Sequence, residues 1–108
     1  MTAYAALAEP SRRRILDLLR DGEHSVNDLV ERLPLSQPGV SKHLRILREG
    51  GFVDVRQDAQ RRFYEVRPAP LAEVDAWLAP YRRLWAGRLD ALERHLDAAA
   101  DHDDKEQA

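Results

Sequence analysis

Apolar residues recur every three or four positions along most of this chain, the spacing of helices that bury one face. A short first helix carries Tyr4 and Leu7 about one turn apart, with Thr2 able to cap it. Glu9-Pro10 interrupts it, because the residue before a proline avoids the helical region. A second helix opens at Pro10 or Ser11 and runs to Arg20. Ile15, Leu18 and Leu19 form its buried stripe, Leu16 lies on the flank, and Asp21-Gly22 ends it. Ser25 caps a third helix, with Asp28 three residues on in a capping-box-like position and Val26, Leu29, Val30 and Leu33 as its apolar positions. Leu33-Pro34-Leu35 is a tight break. The fourth helix, Ser36 to Glu49, has Ser36 as cap, Pro38 in its first turn and Val40, Leu44 and Leu47 on one face. Gly50-Gly51 stops it.

After the two glycines the period changes. Residues 52–56 and 62–67 are rich in β-branched and aromatic side chains with partial alternation, and 57–61 is polar and turn-prone, which predicts a hairpin. Pro68-Ala69-Pro70 ends it. A long helical stripe follows: Leu71, Val74, Leu78, Tyr81, Trp85, Leu89, Leu92 and Leu96, widened by Trp77 and Leu84. Pro80 falls inside this stripe and removes one backbone hydrogen bond, so a kink or break is expected there. Residues 97–108 are acidic and lack the stripe, and are expected to form a frayed or disordered tail. The expected organisation is one domain over 1–96 followed by the tail over 97–108. Its fold is mostly α with a small β-hairpin, in the order α-α-α-α-β-β-α.

The polar positions then separate the helices by purpose. On the fourth helix, the face opposite the apolar stripe carries Gln37, Ser41, Lys42, Arg45 and Arg48, with no acid among them. Such side chains hydrogen-bond base edges or pair with phosphates. Two short helices, the second polar outward, make a helix-turn-helix, and a hairpin directly after it makes a wing. The expected DNA contacts are Ser36, Gln37, Ser41, Lys42, His43 and Arg45 on the helix, and Gln60, Arg61 and Arg62 at the tip of the wing. Arg12, Arg13 and Arg14 are consecutive, so they fan round the second helix and read as solvated or salt-bridged.

The charge distribution supports this. The chain is −2 overall, but residues 36–67 carry seven Lys or Arg against four acids, while residues 97–108 carry one Lys against five. The positive excess sits on the candidate recognition helix and wing, and the negative excess on the tail. The last-helix stripe, with both tryptophans and no sheet to cover it, exceeds what one small domain can hide. It predicts a homodimer built on Leu78, Tyr81, Trp85, Leu89 and Leu92, joined by Tyr4 and Leu7. There is no cysteine, so disulfides and thiolate metal sites are excluded. No apolar run approaches the ~20 residues that span a membrane, and the N-terminus lacks signal-peptide character, so a cytoplasmic protein without membrane partners is expected. No nucleophile–base spacing, phosphate loop or metal motif points to an enzyme, and no cofactor is expected. The competing class is a winged-helix protein–protein module, against which the basic middle and the acid-free helix face argue.

The segments LAEPSRRRILDLL at 7–19, SVNDLVERLPLSQPGVSKHLRILREGGFV at 25–53 and RRFYEV at 61–66 resemble the ArsR/SmtB family of bacterial winged helix-turn-helix repressors, over roughly residues 3–96. The resemblance implies a homodimer held mainly by the first and last helices. It implies binding to an inverted repeat near the operator of its own operon, and release by an effector. Metal-sensing members carry cysteines where this chain has Ser25 and Asn27, and soft metals need thiolates. Glu93, His95 and His102 do not match the spacing of the last-helix metal site either, so no metal is expected. The segment DAWLAPYRRLW at 75–85 looks like the branch of the family without recognised metal ligands. A small apolar or aromatic effector near Trp77, Tyr81 and Trp85 is one expectation, and plain interface packing of that cluster is the other.

Overall fold

The computed structural model describes the backbone of residues 3–107 and the side chains of residues 3–100. Its elements are α1 (Ala3–Ala8), α2 (Pro10–Arg20), β1 (His24–Ser25), α3 (Val26–Arg32), α4 (Gln37–Glu49), β2 (Val53–Asp58), β3 (Arg61–Val66) and α5 (Ala69–Gln107). The chain divides into two compact units, one through Val74 and one from Asp75 onward. None of the described helices is long and apolar enough to cross a membrane.

The helix ends follow from local hydrogen bonding. Glu9 caps α2, its carboxylate accepting from the Ser11 N–H at 3.0 Å. Ser25 and Asp28 make a reciprocal capping box on α3, at 3.2 and 3.3 Å. Ser36 Oγ accepts from Gly39 N–H at 3.2 Å and starts α4. At the other end of α4, Gly51 adopts φ +79 and the chain closes a Schellman motif. The N–H of Phe52 donates to Leu47 C=O at 2.9 Å, and that of Gly51 to Arg48 C=O at 3.0 Å. This motif turns Phe52 into the core, where it is completely buried. Thr2, expected to cap α1, lies outside the described residues.

The core of the first unit is Ala6, Ile15, Leu16, Leu19, Leu29, Val40, Leu44, Leu47, Phe52 and Val53. All three expected apolar positions of α4 are buried. On α2 Ile15 and Leu19 are buried as expected, but Leu16 is buried and Leu18 only partly, the reverse of the expected order. Leu16 and Leu18 flank the Ile15–Leu19 line on opposite sides of the helix, and the Leu16 side borders Leu7 of α1 and Val66 of β3.

β2 and β3 pair antiparallel from Val53↔Val66 to Asp58↔Arg61. The expected hairpin is therefore present, with both strands reaching further toward a tighter turn at Ala59-Gln60. Ala59 takes φ +56, a left-handed conformation unusual without glycine. The sheet has a third strand that period alone did not reveal. β1 pairs with β3 through His24↔Tyr64 and Ser25↔Phe63, giving the order β1-β3-β2. Two residues are too few to carry an alternating pattern.

α5 runs through Pro80 as one helical element, without the break that was one of the two expectations there. The cost is confined to the carbonyl of the preceding turn, which loses its N–H partner. The helix also continues to Gln107, through residues 97–107 of the acidic segment. Ala98, Ala99 and Ala100 are the strongest helix formers and carry the backbone past the last apolar position. In the single chain the stripe is open: Trp85 is 53% and Leu89 55% exposed, Tyr81, Leu84, Leu92 and Leu96 are similarly exposed, and Leu78 is half-buried.

Candidate nucleic-acid interface

α4 buries Val40, Leu44 and Leu47, which fixes its rotation and turns Gln37, Ser41, Lys42 and Arg45 to the surface. Lys42, Arg45 and Glu49 are exposed on the side of α4 away from the buried stripe. Gln37, Ser41 and Arg48 lie on the edge nearer the wing, and His43 on the opposite edge.

The wing is held by a basic residue that sequence reasoning did not single out. Arg56 forks onto Glu23 of the turn before β1, Nη2 to Oε1 at 2.6 Å and Nε to Oε2 at 3.2 Å. It approaches Asp58 at 3.7 Å and lies over the Phe63 ring, 5.1 Å from its centroid. This pairing holds the Glu23 carboxyl below the usual carboxylate range. Arg56 is thus neutralised locally, whereas Arg62 forms no ion pair among the described residues.

Two clefts join helix and wing. One, of about 230 Å³, brings Gln37 of α4 to Gln60, Arg61 and Arg62 of the wing and to Ser25 and Asn27 at the start of α3. The other, of about 340 Å³, is bordered by Ser41, Arg45 and Arg48 of α4 and by Arg62 and Tyr64 of β3. Arg62 borders both. Of the nine residues expected to touch DNA, Gln37, Ser41, Arg45, Gln60, Arg61 and Arg62 therefore converge on the helix–wing surface. Lys42 is exposed beside them. Arg45, Arg48 and Arg62 around the second cleft form no ion pair among the described residues; three such guanidiniums repel each other and favour an anion there.

Ser36 and His43 stand differently. The Ser36 hydroxyl is engaged as the α4 cap and remains exposed. His43 is half-buried and faces α2, with Nδ1 3.5 Å from Arg12 Nη1. Arg48, which the sequence places on the outward face of α4, also borders the second cleft. Asn27 and Tyr64 are polar cleft residues that the sequence did not single out. Asn27 and Tyr64 arrive through the fold.

The arginine run at 12–14 has structural duties beyond the expected solvation. Arg12 donates to the carbonyls of Ala6 at 2.6 Å and Ala5 at 3.2 Å. Arg13 donates to those of Leu7 at 2.7 Å and Ala8 at 3.2 Å. Together they satisfy the four carbonyls that end α1. Arg14 is exposed. Among the described residues no cluster of three side chains could hold a metal ion.

Residues 9–55, from the cap of α2 through α4 into β2, match the family model described as "Bacterial regulatory protein, arsR family". The HTH-type transcriptional regulator Rv2034 of Mycobacterium tuberculosis is 34% identical over 99 residues, which cover 92% of this chain and 90% of that protein. The transcriptional repressor SdpR of Bacillus subtilis is 31% identical over 75 residues, 69% of this chain and 83% of that one. The crystal structure of a possible transcriptional regulator for arsenical resistance superposes with a TM-score of 0.70 at 37% identity, covering 81% of this chain and 96% of that one.

Proposed function

The chain belongs to the arsR family of bacterial regulatory proteins and is a DNA-binding transcriptional regulator; from that premise we propose that it is a cytoplasmic repressor that binds an inverted repeat as a homodimer. The observation that carries the proposal is the convergence of Gln37, Ser41 and Arg45 with Gln60, Arg61 and Arg62 across two clefts. Gln37 and Ser41 read base edges in the major groove. Lys42, Arg45, Arg61 and Arg62 contact phosphates, with the wing arginines reaching toward the minor groove. The open stripe of α5 supports the dimer, because an apolar face of this length is stable only when covered. Two α4 helices related by a two-fold axis read half-sites about 34 Å apart, which requires a palindromic site.

Release by an effector is part of the same proposal. Trp77 and Tyr81 have ring centroids 5.0 Å apart, an aromatic pair suited to a small apolar or aromatic molecule, with Trp85 one turn further along. A ligand there would alter the angle between subunits and spoil the half-site spacing.

The test is fluorescence anisotropy on a duplex taken from upstream of the chain's own gene, over a salt series. A dimer neutralising about six to eight phosphates should lose roughly 10³- to 10⁴-fold in affinity between about 50 and 200 mM salt. The double variant Lys42→Ala/Arg45→Ala should bind far more weakly. Binding no tighter than to a random duplex, with no salt dependence, would defeat the proposal. A promoter fusion then gives the sign, since a repressor raises expression when deleted.

A further inference from the structure

Arg12 and His43 form a contact that neither DNA binding nor core packing has absorbed. The Arg12 guanidinium is held at two corners by the last turn of α1, through the carbonyls of Ala6 and Ala5 at 2.6 and 3.2 Å. Its remaining corner, Nη1, lies 3.5 Å from Nδ1 of His43 on α4, at the long end of hydrogen-bonding range. Both side chains are half-buried. Guanidinium is a donor only, so the contact needs a neutral imidazole with its proton on Nε2. Arg12 touches His43, and Glu9, whose carboxylate caps α2, also feels the charges of His43 and Arg12. The geometry puts His43 on the α2 side of α4, away from the cleft that gathers Ser41, Arg45 and Arg48.

We infer that Arg12 is a positioning residue for the recognition helix: pinned by the α1 carbonyls, it donates to His43 Nδ1 and fixes the rotation of α4, so that His43 serves DNA binding through Arg12 and not through a phosphate. The inference rests on the reading of α4 as the DNA-contacting helix. A planar fork held at two corners is a rigid donor, and a lysine could not reproduce the three-way reach. Protonating His43 places a proton on the acceptor and a second cation beside Arg12. The contact is then lost, with Glu9 offsetting only part of the repulsion.

The experiment compares wild type with His43→Asn, His43→Leu and Arg12→Lys, on the upstream duplex and on a random duplex. Asn puts a non-titrating oxygen near the Nδ1 position, so His43→Asn should bind within about twofold of wild type near pH 8, while His43→Leu loses about threefold. On acidification wild type should weaken by about threefold or more relative to His43→Asn, because a proton on Nδ1 removes the acceptor that Arg12 needs. Arg12→Lys should cost little further in the His43→Leu background, as a coupled pair requires. Wild type gaining affinity on acidification relative to His43→Asn is the signature of an imidazolium on a phosphate and overturns the inference, as does simple additivity of the two variants. A readout without DNA separates this failure from failure of the DNA-binding reading. The ¹⁵N spectrum of free protein near pH 8 should give an unprotonated Nδ1 at His43, with a resonance that moves in Arg12→Lys. A proton on Nδ1 overturns the contact whatever the duplexes do.

Discussion

Arg56 and Arg62 carry the same charge on the same hairpin, and their removal should separate a structural cation from a DNA-binding one. Arg56 is paired with Glu23 at 2.6 Å and flanked by Asp58 at 3.7 Å. Arg62 has no carboxylate partner among the described residues and borders both helix–wing clefts. In a dimer, Arg62→Ala removes two phosphate contacts. Each contact contributes about 0.9 to the slope of log affinity against log salt, so the slope should become shallower by about 2. At about 1 kcal/mol per exposed contact, affinity should fall about thirtyfold, equally on specific and random duplex. Folding stability should stay within about 0.5 kcal/mol, since an exposed unpaired side chain contributes little. Arg56→Ala should behave otherwise. Its charge is already compensated, so the slope should hold nearly constant while affinity falls through a misplaced wing. Anisotropy titrations at four or five salt concentrations measure both quantities. An unchanged slope for Arg62→Ala, or equal flattening by Arg56→Ala, would refute the assignment of the two arginines.

Three further outcomes follow from the geometry. Ala59 adopts φ +56 at the hairpin turn, so Ala59→Gly should raise stability by about 0.5–1 kcal/mol in urea unfolding, and a lower midpoint would mean the turn is unstrained. Glu9, Glu23 and Asp28 are all held below the usual carboxylate range, by the Ser11 N–H, by Arg56 and by the Ser25 N–H respectively. Their stabilisation is therefore complete above the ordinary carboxylate range and is lost as pH falls through the depressed values, so the urea midpoint should drop steadily below about pH 4.5, less steeply in Glu23→Gln; a midpoint that rises on acidification contradicts this. Leu89→Asp on the open face of α5, where Leu89 is 55% exposed, should leave a folded monomer in sedimentation velocity and abolish tight binding to a palindromic duplex; a persistent dimer would place the interface elsewhere.

What could be read from the chain alone is what closes over a few residues. The caps at Ser25 and Ser36, the capping box to Asp28 and the glycine stop after Glu49 are all contacts within three to five residues. Residue type and spacing therefore determine them. The buried face of α4 was legible for a related reason, since three apolar positions at helical spacing leave only one angle for the helix. Its outward residues then follow by subtraction, and so does most of the candidate DNA surface.

The remainder required partners far apart in sequence. β1 exists only because residues 24–25 meet β3. Leu16 is buried ahead of Leu18 because its side of α2 borders Leu7 of α1 and Val66 of β3. Arg56 found Glu23 and Arg12 found His43 across more than thirty residues, so one arginine on the wing became structural while another stayed free. A cation's charge is written in the sequence, but whether it is available to a phosphate depends on which carboxylate or carbonyl folding brings within reach. The sequence by itself determined which face of α4 turns outward, because periodicity and capping are local. The tertiary structure decided which basic and imidazole groups remain free to do so, because ion pairing is set by distance through space and not along the chain.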